Sequence, residues 1–171
     1  LSGCDFASFL PSFEPDAGLD DTSGSETDGL SGTIDTDTVL SPTGESPDYT
    51  VTGDLTVNAE LTIEPGVRIA FAENALLSIA SAGALIADGS AAEPIVLTST
   101  DPAAGILWSG IRVQSASNKN SLTHVTVENA GGDDEHYLSA WRRVGVSIQD
   151  GARLSIQSST IADTDGWGLF S

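Results

Sequence analysis

The chain has 171 residues, with 25 acidic and 6 basic side chains and a formal net charge of −19. A surface of that sign repels nucleic acid and anionic lipid head groups, which excludes both as direct partners. Cysteine occurs once, which excludes an internal disulfide, and methionine not at all, which leads us to expect that the gene product starts upstream of Leu1. Val, Ile and Thr recur in short runs, a strand-forming composition, and no run approaches the roughly 18 apolar residues of a membrane-spanning helix.

At the N-terminus, Leu1-Ser2-Gly3-Cys4 stands directly before Asp5 and a polar tract. These four residues resemble the lipobox of bacterial lipoproteins. The resemblance implies cleavage before Cys4, acylation of its thiol, and a signal peptide upstream of residue 1. Cys4 would then be a lipid anchor, and contact with a membrane would run through that anchor alone. Read on its own, Cys4 is a lone terminal thiol. Residues 5–48 read as a disordered acidic linker. Ten acids lie between Glu14 and Asp48 with no Lys or Arg among them, and such a segment buries too little apolar surface to offset its chain entropy. A flexible coil of that length spans roughly 35 Å. Phe6, Phe9, Leu10 and Phe13 form a short apolar exception within it.

From Tyr49 the pattern changes. Leu55-Thr-Val57, Leu61-Thr-Ile63, Arg68-Ile-Ala-Phe71, Leu77-Ser-Ile79, Ile95-Val-Leu97, Ile111-Arg-Val113, Val125-Thr-Val127, Val144 to Ile148 and Leu154-Ser-Ile156 are short runs of period two. That period predicts half-buried strands, with Ile69 and Phe71 inward against Arg68 and Ala70 outward, and Val144, Val146 and Ile148 inward against Gly145 and Ser147. Turn pairs separate them: Pro65-Gly66, Ala82-Gly83, Asp88-Gly89, Gly131-Gly132, Asp150-Gly151 and Asp165-Gly166. Helical periodicity is absent between them, which argues against alternating strand and helix. Leu77-Ser-Ile-Ala-Ser81 and Leu154-Ser-Ile-Gln-Ser158 are near copies, each followed by Ile-Ala-Asp, and Gly66 to Gly83 reads as one step of 17 residues. Short, self-similar strands point to stacked coils. Asn58, Asn74, Asn118, Asn120 and Asn129 are candidates to cap or ladder the turns.

Tyr49-Thr-Val-Thr-Gly53-Asp-Leu-Thr-Val57 followed by Leu61-Thr-Ile-Glu-Pro-Gly66-Val-Arg-Ile-Ala-Phe71 resembles the opening coils of bacterial right-handed β-helix repeat proteins of the pectin-lyase-like fold. Gly83 to Gly89, Pro94 to Thr98, Trp108 to Ile111 and Leu122 to Gly131 continue the likeness. It implies an all-β chain: a right-handed parallel β-helix over residues 49–171, preceded by residues 1–4 as a lipobox remnant and 5–48 as tether. The fold carries many functions, so it implies no particular one. Residues 133–143 interrupt the pattern as an insertion. The apolar run Trp167-Gly-Leu-Phe170 at the end leads us to expect further coils beyond Ser171, since an uncapped solenoid end invites pairing.

The insertion holds most of the candidate chemistry. Asp133, Asp134 and Glu135 are oxygen donors of the kind that hard cations such as calcium take, but their spacing matches neither an EF-hand nor a glycine-rich calcium repeat and fits a solvated acidic loop tip better. Trp141, Arg142 and Arg143 combine a ring that stacks on sugars with guanidinium groups that read hydroxyls and carboxylates; the alternative is a tryptophan packed on the coil beside locally paired arginines. His136 and Tyr137 are a candidate acid–base pair, and Asp163 and Asp165 a candidate carboxylate pair, though beside Gly166 they also suit a turn. No catalytic residue is assigned and no cofactor is expected; weak calcium binding at Asp133, Asp134 and Glu135 is the one candidate. The expected function is that of a non-enzymatic cell-envelope surface lipoprotein, a β-helical structural or adhesion module, lipid-anchored or extracellular, with a polysaccharide or a protein surface as candidate partner. The alternative is a carbohydrate-binding or lyase-like β-helix with its active site mostly outside this sequence.

Overall fold

The computed structural model describes residues 29–132 and 143–171. It contains fifteen strands among the described residues: β1 (Leu30–Ile34), β2 (Thr38–Leu40), β3 (Tyr49–Val57), β4 (Glu60–Ile63), β5 (Arg68–Phe71), β6 (Leu76–Ile79), β7 (Ala84–Asp88), β8 (Ile95–Ser99), β9 (Gly110–Val113), β10 (Ser121–Thr123), β11 (Val125–Glu128), β12 (Val144–Ile148), β13 (Ser155–Gln157), β14 (Thr160–Ala162) and β15 (Trp167–Phe170). A single 3-10 turn, Pro102–Ala104, joins them. The strand pairings are all parallel, each strand meeting one that lies a full coil away. This is a parallel β-helix.

The coils have three faces. Face 1 stacks the first half of β3 with β5, β8, β11 and β14. Face 2 stacks β1, the second half of β3, β6, β9, β12 and β15. Face 3 stacks β2, β4, β7, β10 and β13. In β3 the chain turns from face 1 to face 2 without a break, around Gly53. Later coils interrupt that corner with loops that grow from residues 72–75 to 100–109 and then to 129–143.

Period-two patterning places Val51, Phe71, Leu97 and Val127 inside face 1, Leu55, Leu77, Ile111 and Val146 inside face 2, and Leu61, Leu85 and Leu122 inside face 3. All are 3 % exposed or less. Each such side chain contributes about 1.5–3 kcal/mol by leaving water. The outward residues are not all wet. Ala70, Ser147 and Gly145 are buried as well. They are small, and larger side chains on the coils to either side overshadow them: Ala70 lies between Thr50 and Thr98, and Ser147 between Arg112 and Phe170.

Two expectations are corrected. The solenoid starts before Tyr49, because β1 and β2 form a first coil within the segment read as linker at 5–48. Asp48 itself is structural: its carboxylate accepts from the amides of Thr43 and Arg68, both at 2.7 Å. The repeat is also not 17 residues. Gly66 and Gly83 sit at different corners of one coil, and true coil steps run from 20 residues (Val51 to Phe71) to 35 (Val113 to Ile148). The near copies at Leu77 and Leu154 likewise fall on faces 2 and 3. Their likeness reflects what any short inward-and-outward strand requires.

Polar side chains tie coil to coil where the turns leave backbone groups unpaired. Asn120, 2 % exposed, accepts from the Leu85 amide at 2.9 Å and donates to the carbonyls of Ser115 and Arg153. Asn129 donates to Thr98 Oγ1, and Asn58 to Asp35. Three of the five asparagines named from the sequence thus bond at the turns. At the last coil the inward columns end on Trp167 and Leu169, 60 % and 46 % exposed.

Candidate functional site

Face 2 presents an outward row that runs across the coils in register: Thr56, Ser78, Arg112, Ser147 and Phe170. Alternation puts each of these opposite an inward apolar neighbour, as Ile111 and Val113 flank Arg112. The serines are 9 % and 2 % exposed, and Arg112 between them is half-buried. A guanidinium flanked by two short hydroxyl residues is held low against the sheet. The planar guanidinium of Arg112 has a shape that matches carboxylates and paired hydroxyls.

The corner beside this row is the most elaborated part of the molecule. Trp108, in the loop 100–109, is fully buried and stacks on Phe71 with ring centroids 4.0 Å apart. Its indole donates to the Glu128 carbonyl at 2.9 Å, and its backbone pairs with that of Asn129 and Gly132. The packed tryptophan therefore anchors the point where the chain departs into 133–142. Gly131 has φ +90, and a Cβ there would lie 2.7 Å from the Asp165 carbonyl. A Cβ on Gly132 would meet Asn74 Oδ1 at 2.7 Å. Both glycines are needed for close approach between coils. At the return point, the Arg143 carbonyl accepts from the Trp167 amide at 2.8 Å, and its guanidinium pairs with the Asp165 carboxylate. The Asp165 amide donates to the Ala130 carbonyl at 3.0 Å. One residue thus holds both feet of the insertion.

Of the residues singled out in the sequence, Arg143 lies at this second foot, about half exposed. Cys4, Asp133, Asp134, Glu135, His136, Tyr137, Trp141 and Arg142 lie outside the described residues. Asp163 and Asp165 belong to the turn between β14 and β15. Asp163 adopts φ 49, and Asp165 is engaged with Arg143. His124, with φ 49, forms the corner between faces 3 and 1, where its carbonyl accepts from the Ile95 amide. Sequence reasoning passed over the row of Ser78, Arg112 and Ser147. Its signal was a charged residue at the outward position of an apolar strand, which gains meaning only once coils about 35 residues apart are placed side by side.

A family profile described as a pectate-lyase-like β-helix domain matches residues 32–137. The chain belongs to that family. The matched span of this pectate-lyase-like β-helix begins inside β1 and runs through the start of the insertion, so it takes in the first coil that lies ahead of Tyr49. No curated protein and no solved structure matches the chain. Among the described residues no three His, Cys, Asp or Glu side chains come together as a metal site. No helix there is long and apolar enough to cross a membrane.

Proposed function

We propose that this pectate-lyase-like β-helix is a polysaccharide-binding module of the cell envelope, which holds its ligand along the outward row of face 2 and does not cleave it. The observation that carries this reading is the half-buried Arg112 in register between Ser78 and Ser147, on a face whose strand β12 directly follows Trp141, Arg142 and Arg143 in the sequence. Guanidinium groups and rings hold a sugar chain by donating and stacking, and the parallel strands set Arg112 and Phe170 in one outward row. The family membership supports a carbohydrate connection. The resemblance of Leu1-Ser2-Gly3-Cys4 to a lipobox supports attachment through an acylated Cys4, with the acidic segment behind it as a leash.

The test is binding of the full chain to an array of neutral and acidic polysaccharides, with and without calcium. Specific binding that weakens at least about tenfold in both Arg112→Ala and Trp141→Ala is the expected result. Calcium dependence that disappears in a Asp133→Asn, Asp134→Asn double variant would add the acidic run to the site. Cleavage of any bound glycan refutes a purely binding role. Failure of the folded protein to bind any glycan refutes the polysaccharide reading and leaves a protein surface as the partner.

A further inference from the structure

The other edge of face 2, where the chain turns toward face 3, carries a pocket of its own. In the first three coils this corner is tight. In the fourth it lengthens to residues 114–120, and that loop is fixed at its base: Ser115 Oγ donates to the Gly83 carbonyl at 2.6 Å and accepts from the Ser117 amide at 3.1 Å. From its tip Lys119 reaches back over the third coil to Glu60 of the second, with Nζ 2.6 Å from Oε2. The third coil passes beneath this strap with only Ser81-Ala-Gly-Ala84. Gly83 cannot be larger, because a Cβ there would run into the Val57 carbonyl. The result is an open pocket of about 430 Å³, lined by Asp37, Glu60, Ser117 and Lys119 around a floor of the small residues 81–84.

We propose that this corner pocket receives a single neutral sugar residue, separately from the row on face 2. The floor of small residues is shallow, and its alanine methyls and glycine give the shape that accepts the C–H face of a pyranose ring. The lining offers two carboxylates that accept from hydroxyls, the hydroxyls of Ser81 and Ser117 that do both, and one ammonium that donates. Its charges also select. The hydrogen bond and charge of Glu60 raise the pKa of Lys119, so the ammonium persists at neutral pH. Two carboxylates against one ammonium still leave the rim negative, which disfavours an acidic sugar. The strap itself is a solvent-exposed ion pair, of a kind that is weak, so a ligand hydroxyl displaces it at little cost.

The experiment is a titration of the methyl-labelled full chain by NMR with glucose, galactose, N-acetylglucosamine and, as the acidic probe, glucuronate, each into the tens of millimolar. The expected result is a saturable shift of the Ala59, Ala82 and Ala84 methyls with at least one neutral sugar and about tenfold weaker binding of glucuronate. The shifts should vanish in Ala82→Phe, an exposed position whose new ring fills the floor, and equally in Ser117→Tyr, which fills the pocket from the loop. They should persist in Arg112→Ala, which separates this pocket from the row on face 2. No shift with any neutral sugar, shifts that survive both filling variants, or glucuronate binding as tightly as the neutral sugars would each overturn the proposal.

Discussion

Replacing Asn120 tests how the coils are held in step. The side chain is 2 % exposed and bonds to three backbone groups, one each near the third, fourth and fifth coils. Truncation to Ala leaves the Leu85 amide and the Ser115 and Arg153 carbonyls without their partner, at a net cost of about 1 kcal/mol each, or about 3 kcal/mol together. Small domains have about 5–15 kcal/mol to lose, so the shift in the urea midpoint should be large, read by far-UV circular dichroism with an unchanged slope. Asn120→Asp sharpens the test. It keeps the acceptor for Leu85 but, when ionised, points negative charge at two carbonyls. Burial and those carbonyls raise the pKa of the new carboxyl in the folded state above its unfolded value. The variant should therefore come closest to wild type below that unfolded value, near 3.9, and lose stability as pH rises through the folded one. A loss under about 1 kcal/mol in Asn120→Ala, or an Asp variant whose deficit ignores pH, would refute the account of this residue as the clamp between coils.

Two further outcomes follow from the same structure. Trp108→Ala should cost about 3–5 kcal/mol, since it removes a fully buried ring stacked on Phe71 and the donor to Glu128; thermal unfolding followed by circular dichroism checks this. For Asp48, burial raises the carboxyl pKa, but bonds from Arg68, from the Thr43 amide and hydroxyl, and from Gly44 outweigh it and leave the value below the ordinary one. A depressed folded value means stability that is present above the unfolded pKa and lost as pH falls through the folded one. Asp48→Asn should therefore be less stable than wild type at neutral pH, with the gap closing at strongly acid pH in parallel urea titrations.

The strands from Tyr49 onward were legible because each places apolar residues at every second position, as at Leu61-Thr-Ile63. The first coil was not. Leu30-Ser-Gly-Thr-Ile34 is mostly exposed, and β2 buries only Leu40 fully, so neither shows the alternation that marks an inner strand. The acids around them gave the local composition of a linker. The period was misjudged because the coils differ in length, so that true partners such as Val57, Ile79 and Val113 have no constant spacing. Within the candidate site, Arg143 could be named from its neighbours in the chain. Its engagement with Asp165 could not, nor could the serines on either side of Arg112, because those relations exist only between coils.

The unequal corners have a consequence for how the chain finds its fold. A stack of identical turns could slide by one whole turn and still satisfy its hydrogen bonds, since every level would look like the next. Here the inner columns are alike, but the loops between faces 1 and 2 are of different size at nearly every level. Trp108 fits only against Phe71 below it and Asn129 above, and Asn120 only between Leu85 and Arg153. Each level therefore carries its own key. A chain threaded one level out of place would leave a buried indole without its stack and an amide without its carbonyls, so the irregular loops act as a proofreading device for the regular core.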